Sequence, residues 1–230
     1  MLPICGKTVL EHIYDRLNYC KTFNKIVVAT TNHQSDIPLK NLCEKKGINY
    51  FLGDLNDVLD RFYKAASFYK ADLIIRITAD CPVVDPYIVD EVVEGCQNGN
   101  YDYFALAGKF PDGLDCQVFT YQALEKSWKE AKLLSEREHI GKYIENNKLN
   151  LFKMGSLEKF SDLLNHRWTL DEPEDYIFMK KIYSKLYKKD KIFLTNDILR
   201  LLKKEPELTK INNHIIRNEG YQKSLQKEKY

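Results

Sequence analysis

Residues 25–53 read KIVVATTNHQSDIPLKNLCEKKGINYFLG. KIVVAT (25–30) is a short β-branched run of the kind that forms a strand covered on both faces. IPLKNLCEKKG (37–47) is a helical segment ending at Gly47, and INYFLG then resumes the extended pattern. Strand, helix and strand in this order imply parallel pairing, because the helix carries the chain back across the sheet before the next strand begins.

The alternation continues outward. DVLDRFYKAASFYK (57–70) places Val58, Phe62, Ala65 and Tyr69 on one helical face, DLIIRIT (72–78) is a third strand, and PYIVDEVVEGCQ (86–97) aligns Ile88, Val92 and Cys96. Upstream, Thr8 with Glu11 three residues later is a capping box, and Val9, Ile13 and Leu17 follow at helical spacing. Downstream, YDYFAL and CQVFT are expected as strands around the turn-rich GKFPDGLD, followed by helices over 121–134 and 135–147. LNLFKMG and HRWTLD are expected as further strands, and PEDYIFMKKIYSKLY as a helix. The expected fold class is α/β, a mainly parallel central sheet flanked by helices, with one domain over residues 1–190. Residues 191–230 form a polar helical appendage with breaks at Pro206 and Gly220.

Composition narrows the function classes. The 230 residues carry a net charge of +2, unevenly placed: residues 179–230 hold 14 Lys+Arg against 6 Asp+Glu, which is +8 and leaves −6 for the remainder. The lysines of the basic end fall at ordinary amphipathic spacing without a recognition motif, so no nucleic-acid partner is expected. No apolar run approaches the roughly 20 residues of a membrane span, and the six scattered cysteines follow no secretory signal, so reduced thiols and a cytoplasmic location are expected, with no membrane partner.

In open α/β sheets ligands bind beyond the carboxyl ends of the strands. Two such ends are acidic: DLIIRIT runs into ADCPVVDP, with Asp80 and Asp85, and HRWTL runs into DEPED, with Asp171. Asp85 directly precedes Pro86 and suits a helix cap. Asp80 has no helix to cap, whereas Asp171 or Glu172 could cap the helix opened by Pro173. Two carboxylates at neighbouring strand ends can hold Mg²⁺, which keeps waters and bridges phosphate oxygens. Ser135 and Glu138 have capping-box spacing, Asp112-Gly113 is first a turn signal, and Trp128 and Trp168 are most simply core aromatics.

The blocks GDLNDVLDRFYKAA, RITADCPVVDP, PDGLDCQVF, SEREHIGKYI, HRWTLDEPED and HIIRNEGY, in this order, resemble the spore-coat polysaccharide cytidylyltransferase family, relatives of the acylneuraminate and Kdo cytidylyltransferases. The resemblance spans nearly the whole chain. It implies a Rossmann-like nucleotide-diphospho-sugar transferase fold that activates a sugar with CTP and Mg²⁺ to a CMP-sugar and pyrophosphate, with Asp80 and Asp171 as metal-binding catalytic residues. Arg137 and Arg167 are candidates to grip the carboxylate of an acid sugar. Lys7, Arg61, Asp115 and His139 complete the expected substrate-binding set, with Lys109 less central. A homodimer through roughly residues 101–120 is expected. The resemblance also places a first strand and a phosphate loop, approximately R-x-x-S-x-R-L-P-G-K, before a segment like residues 1–12, so both are expected to be missing from the chain and CTP to be held weakly without them. The alternatives are a non-catalytic scaffold of the same fold and a glycosyltransferase of related fold. The second would need a D-x-D motif, which the spacing of Asp80 and Asp85 does not provide.

Overall fold

The computed structural model describes residues 1–147 and 149–217; residues 218–221 of HIIRNEGY and the break expected at Gly220 lie outside the described residues. The chain opens with a hairpin, β1 (Pro3–Ile4) and β2 (Lys7–Thr8), turned by Cys5 and Gly6, both at positive φ as a two-residue hairpin turn requires. The Thr8–Glu11 capping box forms and starts α1 (Val9–Leu17). The alternating units follow as β3 (Val27–Thr31), α2 (Ile37–Lys46), β4 (Asn49–Gly53), α3 (Val58–Tyr69), β5 (Leu73–Arg76) and α4 (Pro86–Gly99). Next come β6 (Tyr103–Ala107), β7 (Gln117–Thr120), α5 (Tyr121–Glu130), α6 (Leu134–Glu138), α7 (Lys142–Asn146), β8 (Met154–Glu158), α8 (Pro173–Leu186) and α9 (Thr195–Lys204).

The main sheet has the order β5-β7-β6-β8, and β3 pairs in parallel with β4. β6 and β8 are also parallel, while β7 runs against both β5 and β6 because residues 108–116 return the chain as a hairpin. Alternate residues of the sheet feed two apolar layers. Phe104 and Val118 enter one with Trp168, Phe178, Met179 and Ile182, while Tyr103 and Phe119 enter the other with Leu59, Leu124 and Ile144. This is the mixed α/β layering that the sequence indicated.

β3 and β5 pair with other strands but not with each other. A groove of about 700 Å³ lies between them, bordered by Val27 and Ala29 on one side and Leu73, Ile74 and Ile75 on the other.

Four local expectations are corrected. HRWTLD is not a strand: only Arg167 bridges, to Asp112, because that turn offers a single residue for pairing. The helix expected over 121–134 stops at Glu130, and 135–147 divides into α6 and α7 around Gly141. Ser135 is not the cap, since α6 begins at Leu134 with Leu133 at its N-cap, and it is Glu136 whose carboxylate accepts the Lys132 and Leu133 amides, at 3.3 and 3.4 Å. Strand β8 starts only at Met154, because Asn147 closes a loop on Phe152 with bonds of 2.9 and 3.1 Å. Within 191–217, Ile198, Leu202 and Leu208 are buried in the layer that holds Trp168. Among the described residues no helix is long and apolar enough to cross a membrane.

Candidate active site

Asp80 lies on the loop that leaves β5, and that loop is held from below. Buried Arg16 donates to the carbonyls of Val84 at 2.7 Å and Phe193 at 2.8 Å, and the Tyr183 hydroxyl donates to Pro82 O at 2.5 Å. The Asp80 carboxylate accepts the Thr78 hydroxyl and, at 3.3 Å, the Cys81 thiol, which burial keeps protonated by pushing its pKa well up. Asp85 takes the structural role expected of it, accepting the amides of Tyr87 and Thr195 at 3.2 and 3.0 Å.

Asp171 is placed by an arginine-centred cluster. Buried Arg167 donates to Asp175 at 2.9 Å, to Asp112 at 3.1 Å and to Asp171 at 3.0 Å. Asp175 is fully buried and accepts the amides of Asp171 and Glu172 at 3.1 and 3.0 Å. Asp175 therefore does the capping at α8, and the Asp171 carboxylate is not used for it. Burial raises the Asp171 pKa, the nearby negative charge of Asp80 raises it further, and Arg167 only partly offsets both. The Thr169 hydroxyl, which donates to Asp80 O at 3.5 Å and to the Asp171 carboxylate at 3.4 Å, ties the two loops together.

Both aspartates line a cavity of about 920 Å³ together with Asp112 and Asp115. Burial, and then the charge of Asp115, pushes the Asp112 carboxyl up to about 6. The turn that carries these residues sits directly on residues 168–169: Gly113 has φ +95°, and a Cβ there would collide with the backbone of Trp168 and Thr169. Arg217 reaches the same end, its guanidinium 4.4 Å over the Phe110 ring and 3.6 Å from Asp112.

The opposite end is a hydrogen-bonded chain. Arg76 donates to Gln117 at 2.9 Å, the Gln117 amide donates to the Tyr103 oxygen at 2.9 Å, and the Tyr103 hydroxyl donates to Glu145 at 2.7 Å. Burial raises the Glu145 pKa, but Lys142 at 2.6 Å and the Tyr103 hydroxyl outweigh it and hold the group ionised. His139 lines this end, and burial lowers its pKa so that the imidazole is neutral near pH 7.

The cavity thus brings together Asp80, Asp115, His139, Arg167 and Asp171 of the expected residues. Lys7 is paired with Asp15 at 2.5 Å, Arg61 donates to Asp54 O at 2.6 Å, and Arg137 grips Asp57 at 3.0 and 3.1 Å. These three, with Lys109, are not among the cavity-lining residues. Asp112, Arg76, Tyr103, Gln117 and Glu145 line the same cavity and are not among the expected residues. One signal was present: Arg76 and Gln117 interrupt apolar strands and stand opposite each other in the register.

Among the described residues no three His, Cys, Asp or Glu side chains are grouped to enclose a metal ion. Asp80 and Asp171 offer instead two adjacent carboxylates. This donor set fits a hard cation that takes its remaining ligands from waters and phosphate oxygens.

A protein family described as cytidylyltransferase matches residues 1–222. The chain belongs to the cytidylyltransferase family. This is an enzyme family, and the fold agrees with it. A cytidylyltransferase structure from Leptospira borgpetersenii superposes with a TM-score of 0.85 at 32% identity, covering 94% of this chain and 91% of that one. An uncharacterized protein of Methanocaldococcus jannaschii is 37% identical over 219 residues, 94% of this chain and 88% of its own. The spore coat polysaccharide biosynthesis protein SpsF of Bacillus subtilis is 29% identical over 219 residues, 89% of this chain and 87% of its own.

Proposed function

We propose that this cytidylyltransferase activates an acid sugar with CTP, forming a CMP-sugar and pyrophosphate for surface polysaccharide or glycan biosynthesis. The observation that carries the reading is the Asp80–Asp171 pair on the wall of a cavity large enough for a nucleotide and a sugar. A sugar hydroxyl oxygen would bond to the α-phosphorus of CTP as the bond to pyrophosphate breaks and the hydroxyl proton passes to solvent, so the protein need supply no nucleophile. Mg²⁺ held by Asp80 and Asp171 would neutralise charge on the phosphate oxygens. At the far end the Arg76 guanidinium, bonded to the neutral Gln117 amide, offers a cation to a sugar carboxylate, and the Tyr103–Glu145 pair offers partners to sugar hydroxyls. Arg167, committed to three carboxylates, would hold the aspartates in place.

Pyrophosphate release tests this. With millimolar CTP, Mg²⁺ and a panel of sugars, release is expected only with CTP and an acid sugar. No release with any pair would favour a non-catalytic scaffold, and release of a nucleoside diphosphate from a nucleotide-sugar would favour a glycosyltransferase. We also propose a cytoplasmic homodimer through residues 101–120. That segment forms β6 and β7 with mostly buried side chains and exposes Gly108 and Lys109, so the contact would rest on this turn. Sedimentation at tens of micromolar showing only monomer would contradict it.

A further inference from the structure

We infer that Arg217 is a substrate-binding residue whose guanidinium takes the phosphate chain of the nucleotide, a role that rests on the CTP reading above and supplies it with a phosphate-binding cation. Arg217 is delivered to the cavity by a short segment anchored at Asn212. Asn212 is 1% exposed, and its side-chain amide donates to Arg167 O at 2.9 Å and to Asp175 at 2.8 Å. The segment is thus fixed to the same arginine cluster that places Asp171. Five residues on, Arg217 donates to Phe110 O at 2.9 Å, with its guanidinium carbon 4.4 Å from the centre of the Phe110 ring. Ile216 also lines the cavity yet is 74% exposed, so residues 212–217 form part of the cavity's rim.

The charges at this end say what Arg217 binds. Asp80, Asp112, Asp115 and Asp171 line it together with Arg167 and Arg217. Arg167 is fully engaged: each of its three nitrogens donates to a carboxylate, at 2.9, 3.1 and 3.0 Å. Arg217 is not. Among the described residues it makes one hydrogen bond, to Phe110 O, and lies 3.6 Å from Asp112 and 3.8 Å from Asp115, beyond hydrogen-bond reach. A guanidinium carries a fork of N–H donors, so those left over remain available to ligand oxygens. The other arginine and lysine of the cavity wall, Arg76 and Lys142, bond to Gln117 and Glu145 at the opposite end. A triphosphate drawn to Asp80 and Asp171 by Mg²⁺ enters among four carboxylates and needs a further cation there, and the guanidinium fork matches phosphate oxygens. Arg217 exchanges two long carboxylate contacts for direct charge-assisted bonds. Asp112 and Asp115 hold it at the rim until the nucleotide arrives.

The test titrates the full chain and its Arg217→Gln variant with CTP, inorganic tripolyphosphate and N-acetylneuraminate, each with Mg²⁺, and reads binding by amide NMR. Arg217→Gln is expected to weaken CTP and tripolyphosphate by about tenfold or more, the worth of one charge-assisted hydrogen bond, and to leave the sugar within about twofold. The ligand-free variant is expected to keep its amide shifts over residues 206–212, as it must if residues 212–217 stay docked. Undiminished CTP binding in the variant would overturn the inference. So would a loss confined to the sugar, which would assign Arg217 to a carboxylate, or moved 206–212 shifts, which would make it a tether only. Phenylglyoxal, which modifies accessible guanidinium groups, gives a reading on the parent chain that needs no folded variant. CTP with Mg²⁺ is expected to slow modification of Arg217, read by mass spectrometry of its peptide, and an unchanged rate would overturn the inference. No CTP binding by the parent would fail the CTP reading and this inference together, whereas parent binding that survives Arg217→Gln fails Arg217 alone.

Discussion

The charge of Asp80 makes that of Asp171 more costly, and the fold keeps both facing one cavity. Asp80→Asn preserves shape and removes one charge. It is expected to lower pyrophosphate release by about 10²-fold, ~2.7 kcal/mol of transition-state stabilisation, without moving the urea midpoint. Unchanged turnover would remove Asp80 from the chemistry, and loss of folding would make its role structural. Asp112 gives a pH prediction. Burial lifts its pKa to about 6 from the ordinary 3.8, so between these values the folded chain holds a proton that the unfolded chain has released. Its contribution to stability is full below about pH 4 and is lost as pH rises through 6, amounting to at most about 3 kcal/mol. Urea unfolding of Asp112→Asn should lack this fall. A parallel pH dependence in both proteins would show that the group is not perturbed.

The elements succeed or fail according to whether their partners are local. The α1 capping box, the Asp85 cap and helix α8 are decided within a few residues, and each was readable from the sequence. HRWTLD looked like a strand because its apolar pattern is right, but its backbone partner is the Asp112 turn, and no local pattern announces a contact 55 residues away. The site divides in the same way. Asp80 and Asp171 were legible as acidic strand ends, whereas the destinations of Arg61 and Arg137 depended on Asp54 O and Asp57. Arg167 shows the energetic side. Asp175→Ala would leave a buried guanidinium short of its main partner and is expected to cost about 3–5 kcal/mol in urea unfolding. Gly113→Ala should also destabilise, through its collision with residues 168–169 and its positive φ. A Gly113→Ala chain as stable as the parent would mean that the turn is free to move away.

At the scale of the whole molecule, two apolar layers enclose a sheet, and the cavity opens where the loops after β5 and before α8 meet. That cavity is expected to receive the nucleotide. An amide-resolved NMR titration of the full chain with CTP, with and without Mg²⁺, reads this even for millimolar affinity. The expected shifts cluster at residues 78–81, 112–116 and 169–172, grow when Mg²⁺ is present, and lose their Mg²⁺-dependent part in Asp80→Asn. Shifts centred elsewhere, or a pattern in this cavity indifferent to both Mg²⁺ and Asp80→Asn, would contradict the assignment of Asp80 and Asp171 to nucleotidyl transfer.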